Sequence, residues 1–175
     1  IVVIFCILGT VVFLVSSKIS AKMSASAIQN LSESLDLIEC TIEAIMNREA
    51  EFQQSMAHEI AMAQDPEAYV CTYRNNQTIV KVSLICAGKT EGVSNVGNLF
   101  SENELDFSNG GTVGGMPVSK SYINYMGTWA YTIKCPVVRE GEEIAFLYVE
   151  YTYDSLDRSL PDGFYKKKAM LYIMD

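Results

Sequence analysis

The chain has 175 residues, 49% of them hydrophobic, which suits one anchoring segment and one ordinary domain. Its 13 basic and 21 acidic side chains give a net charge of −8 at pH 7, and all of them follow position 17. So acidic a soluble part lacks the basic footprint that nucleic-acid binding requires, and it lacks a polybasic membrane patch.

An uncharged apolar block, residues 1–17, opens the chain. Its length is at the lower limit of the ~17–25 residues with which a helix spans a bilayer, so we predict a transmembrane helix here. A cleaved signal peptide is the alternative, because Ala25, Ser26 and Ala27 resemble a small-residue cleavage site. That site lies well beyond the apolar core, which favours a retained anchor in the cell membrane.

A long helix is predicted over residues 18–64, since neither Gly nor Pro occurs from Thr10 to Asp65. Its apolar side chains recur every three or four residues, as in a coiled coil. The seam nearest the membrane segment consists of Ile28, Leu31, Leu35 and Ile38. We predict that it pairs with a second copy in a homodimer. For the half of the long helix farther from the membrane segment, packing on the sheet of its own domain is an equally good prediction.

A separate domain is predicted over 65–175, and it begins near Pro66, a residue suited to the first turn of a helix. Alternating apolar residues predict a strand at Thr78–Cys86, with one face formed by Val80, Val82, Leu84 and Cys86. Further strands are expected at 91–96, 118–124, 128–138, 144–153 and 169–174. One long helix followed by strands predicts an α+β fold with an antiparallel sheet.

Two segments between the predicted strands have sequences that predict local structure. Residues 101–107 are predicted to form one helical turn, with Ser101 as N-cap and Glu104 completing a capping box. The glycine-rich segment 110–115 lacks the sequence of a phosphate-binding loop and is predicted to be a flexible connection.

The order of these elements resembles an extracytoplasmic Cache domain, the PAS-like module that follows the first membrane helix in bacterial sensor kinases, chemoreceptors and diguanylate cyclases. The resemblance covers almost the whole chain. It is carried by the membrane helix that runs into a long helix, the strand TIVKVSLIC, the hairpin YTIKCPVVREGEEIAFLYVEY and the closing LYIMD. The phrase SYINYMGTWAYTIKCPV is also similar to sensor regions of hybrid histidine kinases.

The resemblance implies a ligand site between the sheet and the loops that cross it. On this sequence, aromatic walls and a few polar groups would come from Ser119, Tyr122, Asn124, Trp129, Tyr131, Tyr148, Glu150 and Asp154. The alternative is that these aromatic residues only pack within strands. No Arg lies between Tyr122 and Trp129, where amino-acid-binding Cache domains carry a carboxylate clamp, so an amino-acid ligand is not expected.

Catalysis, metal binding and a cofactor are not expected in this part of the protein. His58 is the only histidine, and neither a kinase phosphoacceptor sequence nor an HExxH sequence surrounds it. The five cysteines lack CxxC spacing, so we interpret them as small hydrophobic residues, with a disulfide as the alternative in a secreted domain.

The function implied by the resemblance is the extracytoplasmic, ligand-sensing input region of a membrane receptor. The ligand would be an unknown small molecule. The full-length protein is expected to continue beyond Asp175 and to be a histidine kinase. The alternatives are the sensor region of a diguanylate cyclase and a membrane-tethered binding or oligomerisation module.

Overall fold

The computed structural model describes residues 2–108 and 110–153, with side chains from residue 16 onward. The predicted strand at 169–174 lies outside these residues, as do the side chains of most of the predicted membrane segment 1–17. No helix among the residues with described side chains is long and apolar enough to cross a bilayer.

The first helix, α1, spans Val2–Met62, and the chain divides within it into two compact units, residues 1–41 and 42–175. The described part of the second unit is an α+β domain, as predicted. Its remaining elements are α2 Pro66–Thr72, β1 Ile79–Cys86, β2 Glu91–Ser94, β3 Phe100–Ser101, a 3₁₀ turn at Glu102–Glu104, β4 Thr112–Val113, β5 Met116–Pro117, β6 Tyr122–Ile123, β7 Trp129–Arg139 and β8 Glu142–Thr152.

Six strands form one sheet in the order β3-β2-β1-β8-β7-β6, and its described pairings are antiparallel. The long strands β7 and β8 lie at its centre with β1. They are joined by Glu140 and Gly141, whose φ angles of 53° and 85° are those of the two-residue turn that matches the twist of a hairpin.

The glycine-rich segment 110–115 differs from its prediction. It contains β4 and the turn to β5, in which Gly114 and Gly115 have φ angles of 55° and 78°. Two consecutive residues with positive φ are what a tight hairpin turn requires, and glycine adopts them without strain. The segment is therefore an ordered hairpin, and the prediction of a flexible connection is wrong.

The end of α1 packs on one face of the sheet. Its buried apolar side chains, among them Ile45, Met56 and Ile60, meet a core from the central strands that includes Val82, Leu84, Ile133, Leu147 and Val149. A bulge in β1 between Ile79 and Lys81 changes the face of the residue before it. Ile79, and not the predicted Val80, therefore joins this core.

The described cysteines after the membrane segment are all free. Cys135 is buried in the core, as expected of a small hydrophobic residue, but Cys40 and Cys71 are exposed and Cys86 is half-buried. The expectation of burial therefore holds for Cys135 alone among these four residues.

Two polar side chains of α1, Glu49 and Gln53, lie one helical turn apart and are buried against the sheet. The Gln53 amide donates to one backbone oxygen in β7 at 2.8 Å and to one in β8 at 3.1 Å. The Tyr131 hydroxyl donates to the Glu49 carboxylate, and the Tyr151 hydroxyl donates to the Glu49 backbone oxygen at 3.2 Å. These directional bonds determine which face of α1 meets the sheet.

Gln53→Glu should lower the free energy of unfolding by about 3–5 kcal/mol, because a buried carboxylate would face two carbonyl oxygens without a donor. Gln53→Met, of similar size, should cost only about 1 kcal/mol, since it also removes Gln53 Oε1, a buried atom with no partner among the described residues. Urea unfolding of the full chain measures both. Equal losses would contradict the role of the amide.

Candidate functional site

A cavity of about 420 Å³ lies on the sheet face opposite α1. Its floor consists of side chains that alternate with core residues along β1, β7 and β8, namely Lys81, Ser83, Thr132, Tyr148 and Glu150, and Tyr122 of β6 forms part of its wall. The loops at 95–99 and 123–125, together with the segment 100–105, supply its rim. This volume falls within the ~300–1,000 Å³ typical of small-molecule sites.

Glu150 is a deeply buried charged side chain in this cavity, with 6% of its surface exposed. Asn124 Nδ2 donates to its carboxylate at 2.9 Å. Asn124 Oδ1 accepts from the backbone N–H groups of Met126 and Thr128 and from the Thr128 hydroxyl, at 3.0–3.1 Å. Because these donors occupy Oδ1, the amide nitrogen must face Glu150. Asn124 therefore joins the rim loop to the floor.

Tyr122 forms a neutral part of the wall. Its hydroxyl shares a hydrogen bond of 2.7 Å with the Thr132 hydroxyl, and the Thr132 backbone N–H donates to Ser119 Oγ at 2.9 Å. Burial, followed by the charge of Glu150, raises the pKa of Tyr122 well above its usual range. Its hydroxyl therefore stays protonated at neutral pH and offers a ligand no charge.

Glu102 forms an internally satisfied charge network beside the cavity. Lys134 Nζ donates to one carboxylate oxygen at 2.7 Å, and the Tyr148 hydroxyl donates to the other at 2.8 Å. Burial alone would raise the pKa of Glu102, but the hydrogen bonds from Lys134 and Tyr148 outweigh it and lower this pKa. The predicted capping box is wrong, because the Ser101 side chain makes no cap hydrogen bond to the turn.

Four residues of the predicted ligand site line this cavity: Tyr122, Asn124, Tyr148 and Glu150. The structure places three others elsewhere. Tyr131 faces α1 and stacks on Tyr151, with ring centroids 5.7 Å apart. Trp129 is 58% exposed and does not line the cavity, while Ser119 lines a separate cavity between α1 and residues 110–121. Asp154 lies outside the described residues.

Three floor residues were missing from the predicted site: Lys81, Ser83 and Thr132. The sequence of β1 could have indicated two of them, because Lys81 and Ser83 alternate with the core residues Val82 and Leu84 and therefore lie on the opposite face. These polar residues are typical of a solvated face as well, so alternation alone does not distinguish a covered face from an open one.

Asn124→Asp should lower the free energy of unfolding by about 1.5–3 kcal/mol at pH 7, because it replaces a buried donor with a second carboxylate beside Glu150. The deficit should be smaller at about pH 4 than at pH 7, because protonation of the introduced carboxyl removes the repulsion. The same change at the exposed rim residue Asn98 should cost less than about 0.5 kcal/mol. Urea unfolding at both pH values checks this, and a deficit that grows at low pH would contradict it.

No protein-family model matches this chain, and no curated protein matches it. Among solved structures it is similar to the sensory domain of the Campylobacter jejuni chemoreceptor Tlp3 (CcmL), whose crystal structure has isoleucine bound. The TM-score is 0.59 and the sequence identity is 14%. The similarity covers 79% of this chain and 64% of that one, so the chain spans less than two thirds of the sensory domain. The comparison establishes the fold: a long helix and an antiparallel sheet arranged as in a chemoreceptor sensory domain.

Proposed function

We propose that this chain is the ligand-sensing input region of a membrane receptor, with the cavity on the sheet face opposite α1 as its ligand site. The observation that carries the proposal is the convergence of Glu150, Asn124, Tyr122 and Tyr148 on one cavity of small-molecule size. The fold supports it, because the sensory domain of the Tlp3 chemoreceptor, with isoleucine bound, is built in the same way.

Ligand binding would reach α1 through β8. Glu150 faces the cavity, while its chain neighbours Val149 and Tyr151 face α1. Tyr151 donates to the backbone of Glu49, so a movement of this strand changes a hydrogen bond of the helix. In this mechanism the domain has two conformations that differ in the position of α1. The ligand binds one conformation more tightly and thereby favours it.

The output that we propose is a histidine kinase, with the anchor at 1–17 in the cell membrane and the domain outside the cytoplasm. The support is the likeness of the phrase SYINYMGTWAYTIKCPV to hybrid kinase sensor regions. A diguanylate cyclase is the second candidate. The reading frame after Asp175 discriminates: a second apolar span and a kinase or cyclase signature support a receptor, whereas a stop codon favours a tethered binding or oligomerisation module.

A thermal-shift screen of small molecules tests the site in the full chain. At least one compound should raise the melting temperature saturably, because binding to the folded state alone stabilises it. Ser83→Leu should abolish this response, since a larger side chain would fill the floor at a position only 1% exposed. Circular dichroism verifies that the variant is folded.

Trp129→Ala is the matched control, because Trp129 is exposed and outside the cavity lining. It should keep the full ligand response. A response that survives Ser83→Leu, or one that Trp129→Ala removes, would contradict this assignment of the site.

The proposed receptor is a homodimer through α1. The seam residues Ile28, Leu31 and Leu35 are 67%, 61% and 48% exposed, whereas Ile38 is buried. Exposed aliphatic side chains at heptad spacing are typical of a helix that pairs with a second copy. Leu31→Glu combined with Leu35→Glu should abolish cross-linking between cysteines introduced on this face. Unchanged cross-linking in the intact membrane protein would exclude the seam.

A further inference from the structure

The floor of the cavity on the sheet face opposite α1 carries a buried carboxylate, Glu150, that forms no ion pair among the described residues. We propose that this cavity takes an organic cation, an ammonium group on an apolar or aromatic body, with the Glu150 carboxylate as its acceptor. This inference rests on the proposed function, because it names the ligand class of the same cavity.

Glu150 forms no ion pair within the part of the chain that the structure describes. Its carboxylate is 6% exposed and accepts a hydrogen bond from Asn124, which is a neutral donor. No Lys or Arg among the described residues forms an ion pair with it. A buried carboxylate is costly unless it is paired with a positive charge. A ligand cation would supply a charge that is not paired with Glu150 within residues 2–108 and 110–153.

Lys81 is the obvious internal partner, and it is engaged elsewhere. It lies directly opposite Glu150 in the pairing of β1 with β8, and both residues line the cavity. Its ammonium group lies over the Phe100 ring, 4.7 Å from the ring centroid. Glu102 differs from Glu150 in this respect, because Lys134 Nζ lies 2.7 Å from its carboxylate and forms an ion pair with it.

The rest of the lining also favours a cation. Glu104 adds a second carboxylate at the rim, so the described lining residues carry two carboxylates and one ammonium group, that of Lys81. Aromatic rings can attract ammonium groups, and two of the lining aromatic residues, Tyr122 and Tyr125, have no cation over their rings among the described contacts. A cavity of about 420 Å³ exceeds what a bare ion needs, which favours an organic body. No cluster of three metal-ligating side chains occurs among the residues described.

Two matched series of compounds test the ligand class on the full chain. One comprises hexylamine, hexanoate and hexanol. The other comprises phenethylamine, 3-phenylpropionate, 2-phenylethanol and phenylalanine. Thermal shift and isothermal titration calorimetry at pH 7, where the amines are charged, should show saturable binding of an amine. Its affinity should exceed that of its matched anion and alcohol by about tenfold or more, as expected when a buried charge is paired.

Three variants locate the interaction. Glu150→Gln keeps an acceptor for Asn124 but removes the charge, so amine affinity should fall about tenfold or more. Glu104→Gln, the same change at an exposed rim position, should reduce it by less than about threefold because solvent screens that charge. Lys81→Met should raise amine affinity, since it removes a like charge from the cavity, and should lower the affinity of any anion.

The outcomes separate the ligand class from the sensing function. A carboxylate or alcohol that binds in preference to every amine, with a response that Ser83→Leu abolishes, overturns the cation and leaves the sensor standing. Tighter binding of phenylalanine than of phenethylamine overturns it in favour of a zwitterion. Equal losses of amine affinity in Glu150→Gln and Glu104→Gln also overturn the cation proposal. They would indicate that the acidic surface attracts amines in general and that Glu150 does not pair with them specifically. If neither these compounds nor the library contain a saturable ligand for the cavity, both proposals fail.

Discussion

The pairing of β7 with β8 is the constraint on which the rest of this domain depends. Successive side chains of each strand point to opposite faces, so this one hairpin builds both the core under α1 and the floor of the cavity. A slip of one residue would exchange the faces and place Glu150 in the apolar core. The cost of burying that carboxylate among aliphatic side chains makes the register nearly unique.

Polar contacts fix the position and rotation of the end of α1 on the sheet. An interface of aliphatic side chains alone tolerates small rotations, because dispersion contacts have little directionality. Glu49 and Gln53 instead form hydrogen bonds with the sheet, and these bonds weaken steeply when their geometry changes. The proposed signalling mechanism uses this property, since a small strand movement then alters the preferred position of α1.

Two carboxylates close to the cavity, one half-buried and one buried, have different partners. Glu102 is neutralised by Lys134 and also receives the Tyr148 hydroxyl, so its interactions are complete within the chain. Glu150 is more deeply buried, yet its hydrogen bond from Asn124 brings no charge. The first arrangement holds the 3₁₀ turn on the sheet. The Glu150 carboxylate forms no ion pair among the described residues, so a cationic ligand can pair with it. This difference from Glu102 is the basis of the proposed ligand class.

The sequence by itself determined the local elements of this protein. The absence of Gly and Pro from Thr10 to Asp65 predicted a helix up to residue 64, close to its end at Met62, and alternating apolar residues predicted β1. Strands were also predicted where β7 and β8 lie. Only the tertiary structure decided which predicted residues share a cavity. Tyr131 pairs with Tyr151 and Thr132 pairs with Glu150, so the floor takes Thr132 and the core takes Tyr131. That choice depends on the register between two strands, and the face of Ile79 depends on a bulge. Both arise from pairing between separate strands, which the residues of one strand do not encode.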